Sequence, residues 1–255
     1  MAALFLLGGL VPSVIQVLLA RATEGTGMDK LSDDDKKALF QQLLEKQYHD
    51  TAIAKHLAEA PLLIWGLFAG TLRFLPFFIL VIGFDQIAGE VQHRTLRYSA
   101  GRADRSSIVV GKALGIWAVI AVMILVLHLT VWVIAMVQHD SHPGNILAWG
   151  PRMWLFNVVA ASSYVGFTSL MSSLVKTPIV ALFLGAGVGF ALWLAYTVLT
   201  LIESTKEAGW AFPNGYERLL VSPAPLSVAG GMALLVAWGA ACVAAASLIV
   251  SRRDV

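Results

Sequence analysis

The residues best suited to bind or transmit charge are concentrated between residues 85 and 112. This segment contains five Lys or Arg residues and three acids. If it is helical, Glu90 and Arg94 are i,i+4 partners, and Arg94 and Arg97 occupy adjacent positions on one face. Three apolar residues form the other side: Ile87, Val91 and Leu96. The pattern predicts a short helix on the membrane surface that presents a polar face to a partner. The alternative is a plain positively charged loop.

Two further ionisable residues, Arg73 and His128, lie inside long apolar runs. A charge facing lipid costs between about 2.5 and 17 kcal/mol, so we expect Arg73 to face protein, water or headgroups. It either snorkels from a tilted span or lines an internal pathway. For His128, a hydrogen bond to a neighbouring helix is favoured over a proton relay, because no membrane-embedded acid accompanies it in the sequence.

The sequence lacks the motifs of nucleotide-binding and metal enzymes. The nearest approach to a phosphate loop is Ser106-x-x-x-x-Gly111-Lys112-Ala113, which lacks the first glycine and the magnesium-binding hydroxyl. There is no His-Glu-x-x-His motif, no pair of cysteines and no cluster of carboxylates. We therefore predict no catalytic residues and no metal site. A net charge of +2 gives no support for a nucleic-acid partner.

The elements that position these residues are expected to be membrane-spanning helices. Of the 255 residues, 58% are hydrophobic and only 13% are charged, with a mean hydropathy of +0.74. Runs of about 20 apolar residues span a bilayer as helices, and six occur here: about 2–20, 61–84, 113–138, 153–175, 179–202 and 228–250. The prediction is an all-α polytopic membrane protein with six transmembrane helices. Small-residue pairs that permit close helix contact are Gly111/Gly115, Gly185/Gly189 and Ala240/Ala244.

The first apolar run has an alternative interpretation, and the loop after it is amphipathic. A cleaved signal peptide is the alternative for residues 2–20, but this run is longer than a signal core and lacks a basic n-region. Residues 21–60 form an amphipathic loop with a helix predicted from the Ser32 N-cap onward. Six spans place both termini on one side. The Lys/Arg count is eight on that side and nine on the other, so charge alone does not orient the chain.

The order of residues from 85 to 112 resembles the permease subunits of ABC-2 type transporters. That family has the pattern D-x-x-x-x-E-x-x-x-[GR]-T-L-x-x-x-x-x-x-x-x-R-x-x-[IV]-x-x-G-K after its second membrane helix. The matching residues here are Asp85, Glu90, Thr95, Leu96, Arg105, Gly111 and Lys112. The six-span plan and an Arg-Arg-Asp ending extend the similarity over most of the chain. One departure is that family members usually have a basic surface helix before the first span.

The resemblance implies a single transmembrane permease domain over residues 1–255, in a bacterial cytoplasmic (inner) membrane with both termini cytoplasmic. It implies a second permease copy, giving a homodimer or pseudo-symmetric pair, and two ATP-binding cassette ATPase subunits that hold ATP and Mg²⁺. Residues 85–112 would be the cytoplasmic coupling segment, and residues 21–60 would be extracytoplasmic. The ATPase-coupling interface would include Asp85, Glu90, Arg94, Thr95, Leu96, Arg97, Arg105, Gly111 and Lys112.

Three functions remain open at this stage. The first is the permease of an ABC exporter, embedded in membrane lipids, that moves a substrate when its partner hydrolyses ATP. The second is an ion-coupled secondary transporter that uses Arg73 and His128, although the sequence shows no internal repeat. The third is a membrane anchor that presents residues 85–112 to a soluble complex and transports nothing.

Overall fold

The computed structural model describes residues 33–95, 104–137, 142–202 and 212–253, and the regular elements within these ranges are helices. In chain order they are α1 (Asp33–Tyr48), α2 (Thr51–Leu57), α3 (Leu62–Gly83), α4 (Ala88–Gln92), α5 (Arg105–Val137), α6 (Pro143–Leu174), α7 (Pro178–Leu201), α8 (Pro213–Leu220) and α9 (Pro225–Ser251). The predicted all-α fold class is confirmed.

Among the described residues, five helical stretches are long and apolar enough to cross a membrane: Leu62–Gln92, Arg105–Val137, Pro143–Leu174, Pro178–Leu201 and Pro225–Ser251. They lie over the last five of the six predicted runs. The first run, about residues 2–20, lies outside the described residues, as does the start of the 21–60 loop.

Two of these helices begin well before the apolar runs that predicted them. α5 begins at Arg105 and α6 at Pro143, rather than near residues 113 and 153. Proline suits the first position of α6, where no backbone donor is required, and His142 Nδ1 accepts a hydrogen bond from the Gly144 amide at 3.2 Å. Apolar composition marks the part of a helix that lies in lipid, not the point where the helix starts. The 85–112 segment is therefore not one loop, because residues 105–112 are the first turns of α5.

The chain divides into two compact units. The first comprises the described residues up to Thr71 and those within Leu125–Trp154 and Val221–Pro223. Within it, Asp50 caps α2 by accepting hydrogen bonds from the Ala52 and Ile53 amides at 2.9 and 3.2 Å. The His56 ring lies 4.9 Å from that of Trp149, and its Nε2 is 3.2 Å from Arg152. Burial and the Arg152 guanidinium lower the pKa of His56.

The second unit comprises Leu72–Ile124, Leu155–Leu220 and Ala224–Val255, and its helices approach closely at glycines. A Cβ atom placed on Gly166 of α6 would lie 2.3 Å from the Gly239 carbonyl oxygen of α9. A Cβ on Gly239 would lie 2.4 Å from the Ser162 carbonyl oxygen. The backbones of α6 and α9 are therefore in direct contact, as small residues permit in membranes. This contact fixes α6, the helix on which the candidate site is built.

Candidate functional site

The candidate site begins where α3 ends and the chain turns into α4. The side chain of Ser172, on α6, occupies the break. Its hydroxyl accepts hydrogen bonds from the Ile87 and Ala88 amides at 3.1 and 3.0 Å, and donates to the Phe84 carbonyl at 2.8 Å. In a continuous helix these amides and this carbonyl would form hydrogen bonds with the backbone of the same helix. The start of α4 is thus held by α6.

An ion pair joins the far side of α4 to α5. Lys112 Nζ lies 2.8 Å from Glu90 Oε1 and donates to the Gln86 carbonyl at 2.6 Å. The two charged side chains are only 29% and 24% exposed, so water screens their attraction incompletely. The Gln86 amide donates in turn to Ser169 of α6 at 2.9 Å. α4 is consequently fastened to both α5 and α6.

An open pocket of about 420 Å³ lies beside this ion pair. Its lining residues are Asp85, Gln86, Gly89, Glu90, His93, Thr95, Lys112 and Pro178. Two buried acceptor atoms, Glu90 Oε2 and Gln86 Oε1, have no hydrogen-bond partner among the residues that the structure describes. A buried acceptor without a donor is costly, and both residues are among those that line the pocket.

The predicted pairing of Glu90 with Arg94 is wrong, because α4 ends at Gln92. Arg94 has φ of 58°, in the left-handed region. The Thr95 amide donates to the Glu90 carbonyl at 3.0 Å, and the Arg94 amide to the Val91 carbonyl at 3.3 Å. This is a Schellman motif with Arg94 at the position that usually holds glycine. The turn points the Arg94 side chain outward and leaves Glu90 to pair with Lys112.

We expect Arg94→Gly to stabilise the end of α4. The left-handed conformation costs a residue with a Cβ about 1–2 kcal/mol, and glycine avoids this cost. Arg94→Ala is the matched control, since it removes the same charge but retains the Cβ. Hydrogen exchange of residues 88–95 should be slower in the glycine variant and no slower in the alanine variant. Equal exchange in the two variants would contradict the role assigned to the backbone conformation.

The other residues proposed for the coupling interface fall into four groups. Asp85 and Thr95 are exposed at the pocket. Arg105 donates to the Arg253 carbonyl, and Arg253 donates to the Val175 carbonyl at 3.1 Å, so these two arginines join the ends of α5, α9 and α6. Gly111 is exposed on α5 with open space around it. Leu96 and Arg97 lie outside the described residues.

The two candidate pathway residues have different surroundings. Arg73 is exposed on α3, ten residues before its last residue. His128 is fully buried in α5 and meets the Trp132 ring edge-on, with the ring centroids 6.3 Å apart. Arg73 is therefore not covered by the described residues of this chain, whereas His128 is enclosed by protein.

Glu217 is an ionisable residue that the sequence reasoning missed. It lies on α8, in a stretch whose prolines and aromatics are typical of an interfacial loop. Its carboxylate is half-buried, with Oε1 3.5 Å from the Tyr164 hydroxyl of α6. Burial raises the pKa of Glu217 to about 7, against the opposing effects of the Arg73 charge and the Tyr164 hydrogen bond. The available signal for a packed helix was the helical spacing of Pro213, Tyr216 and Leu220 in PNGYERLL.

Among the described residues, no group of three or more His, Cys, Asp or Glu side chains lies close enough to hold a metal ion. The site is built from the Glu90–Lys112 ion pair and the hydrogen bonds around it. It can position a helix and accept donors from a partner.

Comparison with known proteins adds one finding. A family model described as ABC-2 family transporter protein matches residues 3–238. The comparison with curated proteins finds no match.

Proposed function

Because the chain belongs to the ABC-2 family of transporter proteins, we propose that this membrane permease is the transport subunit of an ABC exporter. In this proposal a separate ATP-binding cassette ATPase holds ATP and Mg²⁺, and a second copy of the permease completes the transport path. The protein would lie in a bacterial inner membrane with both termini in the cytoplasm. Nucleotide would act by stabilising one of two arrangements of the helices.

The observation that best supports coupling at 85–112 is the attachment of α4 to two long helices. Glu90 and Lys112 connect α4 to α5, and Ser172 connects it to α6. A partner that displaces α4 must therefore also displace α5 and α6, or break these contacts. In this arrangement Glu90 is primarily a positioning residue. Direct contact with the ATPase falls to the exposed residues Asp85, Gln92, His93, Arg94 and Thr95.

The chemistry of the pocket indicates what the ATPase must offer. The Asp85 carboxylate is an exposed hydrogen-bond acceptor at the pocket. Donors from the partner, such as Arg or Lys side chains or backbone amides, would satisfy it.

Affinity purification of the tagged chain from its native host in mild detergent tests this proposal. We expect a stoichiometric partner with a phosphate-loop ATPase domain. Asp85→Lys should reduce the recovered partner about tenfold, which corresponds to about 1.4 kcal/mol. Glu59→Lys is the matched control, because it makes the same charge change at an exposed residue far from the pocket in sequence, and it should retain the partner. A pure preparation without any ATPase would refute the proposed function.

A second candidate, an ion-coupled carrier, gains support from the position of Glu217. The sequence argument against a carrier was the absence of a membrane-embedded acid, yet Glu217 lies near Arg73 and Tyr164 within the second unit. Such a carrier would transport without an ATPase. Reconstituted permease alone, tested with a proton gradient, distinguishes the two functions. A permease that stays in one arrangement with and without nucleotide would instead indicate a membrane anchor.

A further inference from the structure

The first two turns of α5 present one continuous face to the helices around them. Its residues have the i, i+3, i+4, i+7 spacing of one side of a helix: Arg105, Ile108, Val109 and Lys112. Arg105 and Lys112 stand at the two ends of this face, about 10 Å apart along the axis at 1.5 Å per residue. Lys112 is the residue that holds Glu90 of α4. The rest of the face has other partners.

The apolar part of this face brings α4 and α9 into one cluster. Val109 is buried together with Ile87, at the N-cap of α4, and with Ala246 and Val250 of α9. The partly buried residues packed against this cluster come from the same helices and from α6: Val91, Ile108, Leu170 and Val243. The coupling segment therefore shares an apolar core with the end of α9, in addition to its polar contacts with α5 and α6.

The polar end of the face holds the end of α9. The Arg253 amide donates to the Val250 carbonyl at 3.3 Å, so Arg253 continues the last turn of α9. Carbonyls at a helix end have no partner within that helix and lie at the negative end of its dipole, which favours a cationic donor. Arg105 donates to the Arg253 carbonyl, and the Arg253 side chain donates to the Val175 carbonyl after α6, at 3.1 Å. Arg253 thus accepts from α5 and donates to α6.

The two arginines are fixed by the backbone rather than by acids. Both are half-buried, and neither forms an ion pair with an acid in the described part of the chain. Their guanidinium groups donate charge-assisted hydrogen bonds, which are stronger than neutral ones. Arg252, one residue earlier, is exposed, and its side chain forms no hydrogen bond or ion pair with the described residues. Adjacent arginines therefore differ in contacts but not in charge.

We propose that Arg253 is a positioning residue that keeps the end of α9 against the coupling segment, so that a displacement of α4 is passed directly to α9. This inference rests on the proposed function. Ile87, Val109 and Val250 transmit the displacement through the shared cluster. The hydrogen bonds of Arg105 and Arg253 prevent the end of α9 from separating from α5 and α6 when α4 is displaced. Arg105 is then also a positioning residue, not a contact of the ATPase.

Hydrogen exchange of the permease alone in lipid nanodiscs tests the positioning. Arg253→Ala removes the hydrogen bond to the Val175 carbonyl. We expect faster exchange in residues 246–253, and also in residues 88–92 of α4, with which Arg253 forms no hydrogen bond. Loss of a hydrogen bond from a charged group should accelerate exchange by up to about tenfold. Arg253→Lys keeps a cationic donor and should restore part of the protection.

Arg252→Ala is the matched control, because it removes the same charge from the neighbouring exposed residue. It should leave exchange unchanged in both segments. Unchanged exchange of residues 88–92 in Arg253→Ala would overturn the proposal, and so would an equal effect of Arg252→Ala. If Arg253→Ala fails to fold, the same comparison is made between Arg253→Lys and Arg252→Lys, where only the former should exchange faster than the wild type.

The same variants, combined with the ATPase in nanodiscs, test the transfer of motion. Arg253→Ala should bind the ATPase as the wild type does, because the exposed residues at the pocket are unchanged. Its stimulation of ATP hydrolysis should fall roughly fivefold or more. Full stimulation by Arg253→Ala would overturn the assigned role. The exchange measurement needs no partner, so it decides the position of α9 whatever the ATPase purification shows.

Discussion

Glu90→Lys should uncouple the partner ATPase from the permease while the helices still form. The substitution places two cations where Lys112 and Glu90 now lie 2.8 Å apart, and it removes the contact that holds α4 to α5. Coupling between two sites is typically worth about 1–3 kcal/mol, so we expect a loss of roughly 5- to 150-fold. The measurement is the stimulation of ATPase activity by the permease in nanodiscs.

The charge-swapped double variant is the decisive control. Lys112→Glu alone should fail as Glu90→Lys does, because it places two carboxylates together. Glu90→Lys combined with Lys112→Glu restores opposite charges and should recover a large part of the stimulation. If both single variants lose stimulation and the double variant regains none, the ion pair is not what couples the two subunits.

The largest expected effect on stability comes from the contact between α6 and α9. Gly239→Ala puts a Cβ 2.4 Å from the Ser162 carbonyl oxygen, and Gly166→Ala puts one 2.3 Å from the Gly239 carbonyl oxygen. Overpacking costs about 1–3 kcal/mol, and we expect the upper end because the atoms that must move are backbone atoms. Both variants should melt at clearly lower temperature in detergent and yield less folded protein.

Gly230→Ala is the matched control for this prediction. Gly230 lies on the same helix as Gly239, but no atom lies within 4 Å of a Cβ placed there. Alanine also favours helix over glycine by up to about 1 kcal/mol, so this variant should be unchanged or slightly more stable. Similar melting temperatures for Gly230→Ala and Gly239→Ala would show that α6 and α9 do not meet as described.

The sequence predicted the fold well because lipid imposes a simple rule. Any long apolar segment in a bilayer must be a helix, so composition alone located the spans from residue 61 onward. It did not locate the starts of α5 and α6, because α5 begins with the polar residues Arg105, Ser106 and Ser107, and α6 contains Pro151 and Arg152 ahead of its apolar run. The close contact of Gly166 with Gly239 was also missed. The spacing of small residues shows that a helix has a surface on which another helix could pack closely. It does not show whether one does, and at Gly111 and Gly115 no atom lies within 4 Å of an added Cβ.

The sequence predicted where the candidate site lies, but it did not predict which residues contact each other there. The order of acid, arginine and hydroxyl residues identified the segment, and the structure places Asp85, Glu90, Thr95 and Lys112 around one pocket. The partner of Glu90 was not predictable from spacing, because it depends on where α4 ends. Arg94 leaves the helix at a left-handed turn, and Lys112 approaches from another helix. Glu217 was missed because its neighbours in sequence resemble an interfacial loop.

The hydroxyl of Ser172 has a mechanical consequence. A helix that continued unbroken from α3 into α4 would transmit torque along its own axis. Here the chain is interrupted, and α4 is pinned sideways to α6, which in turn is in backbone contact with α9. Force applied to α4 is thus delivered to a stiff pair of helices. α3, by contrast, carries Pro76 within its length and lacks one backbone donor there, which weakens its own hydrogen-bond ladder. The helices that α4 is attached to through α6 and the helix that is interrupted by a proline are therefore different ones.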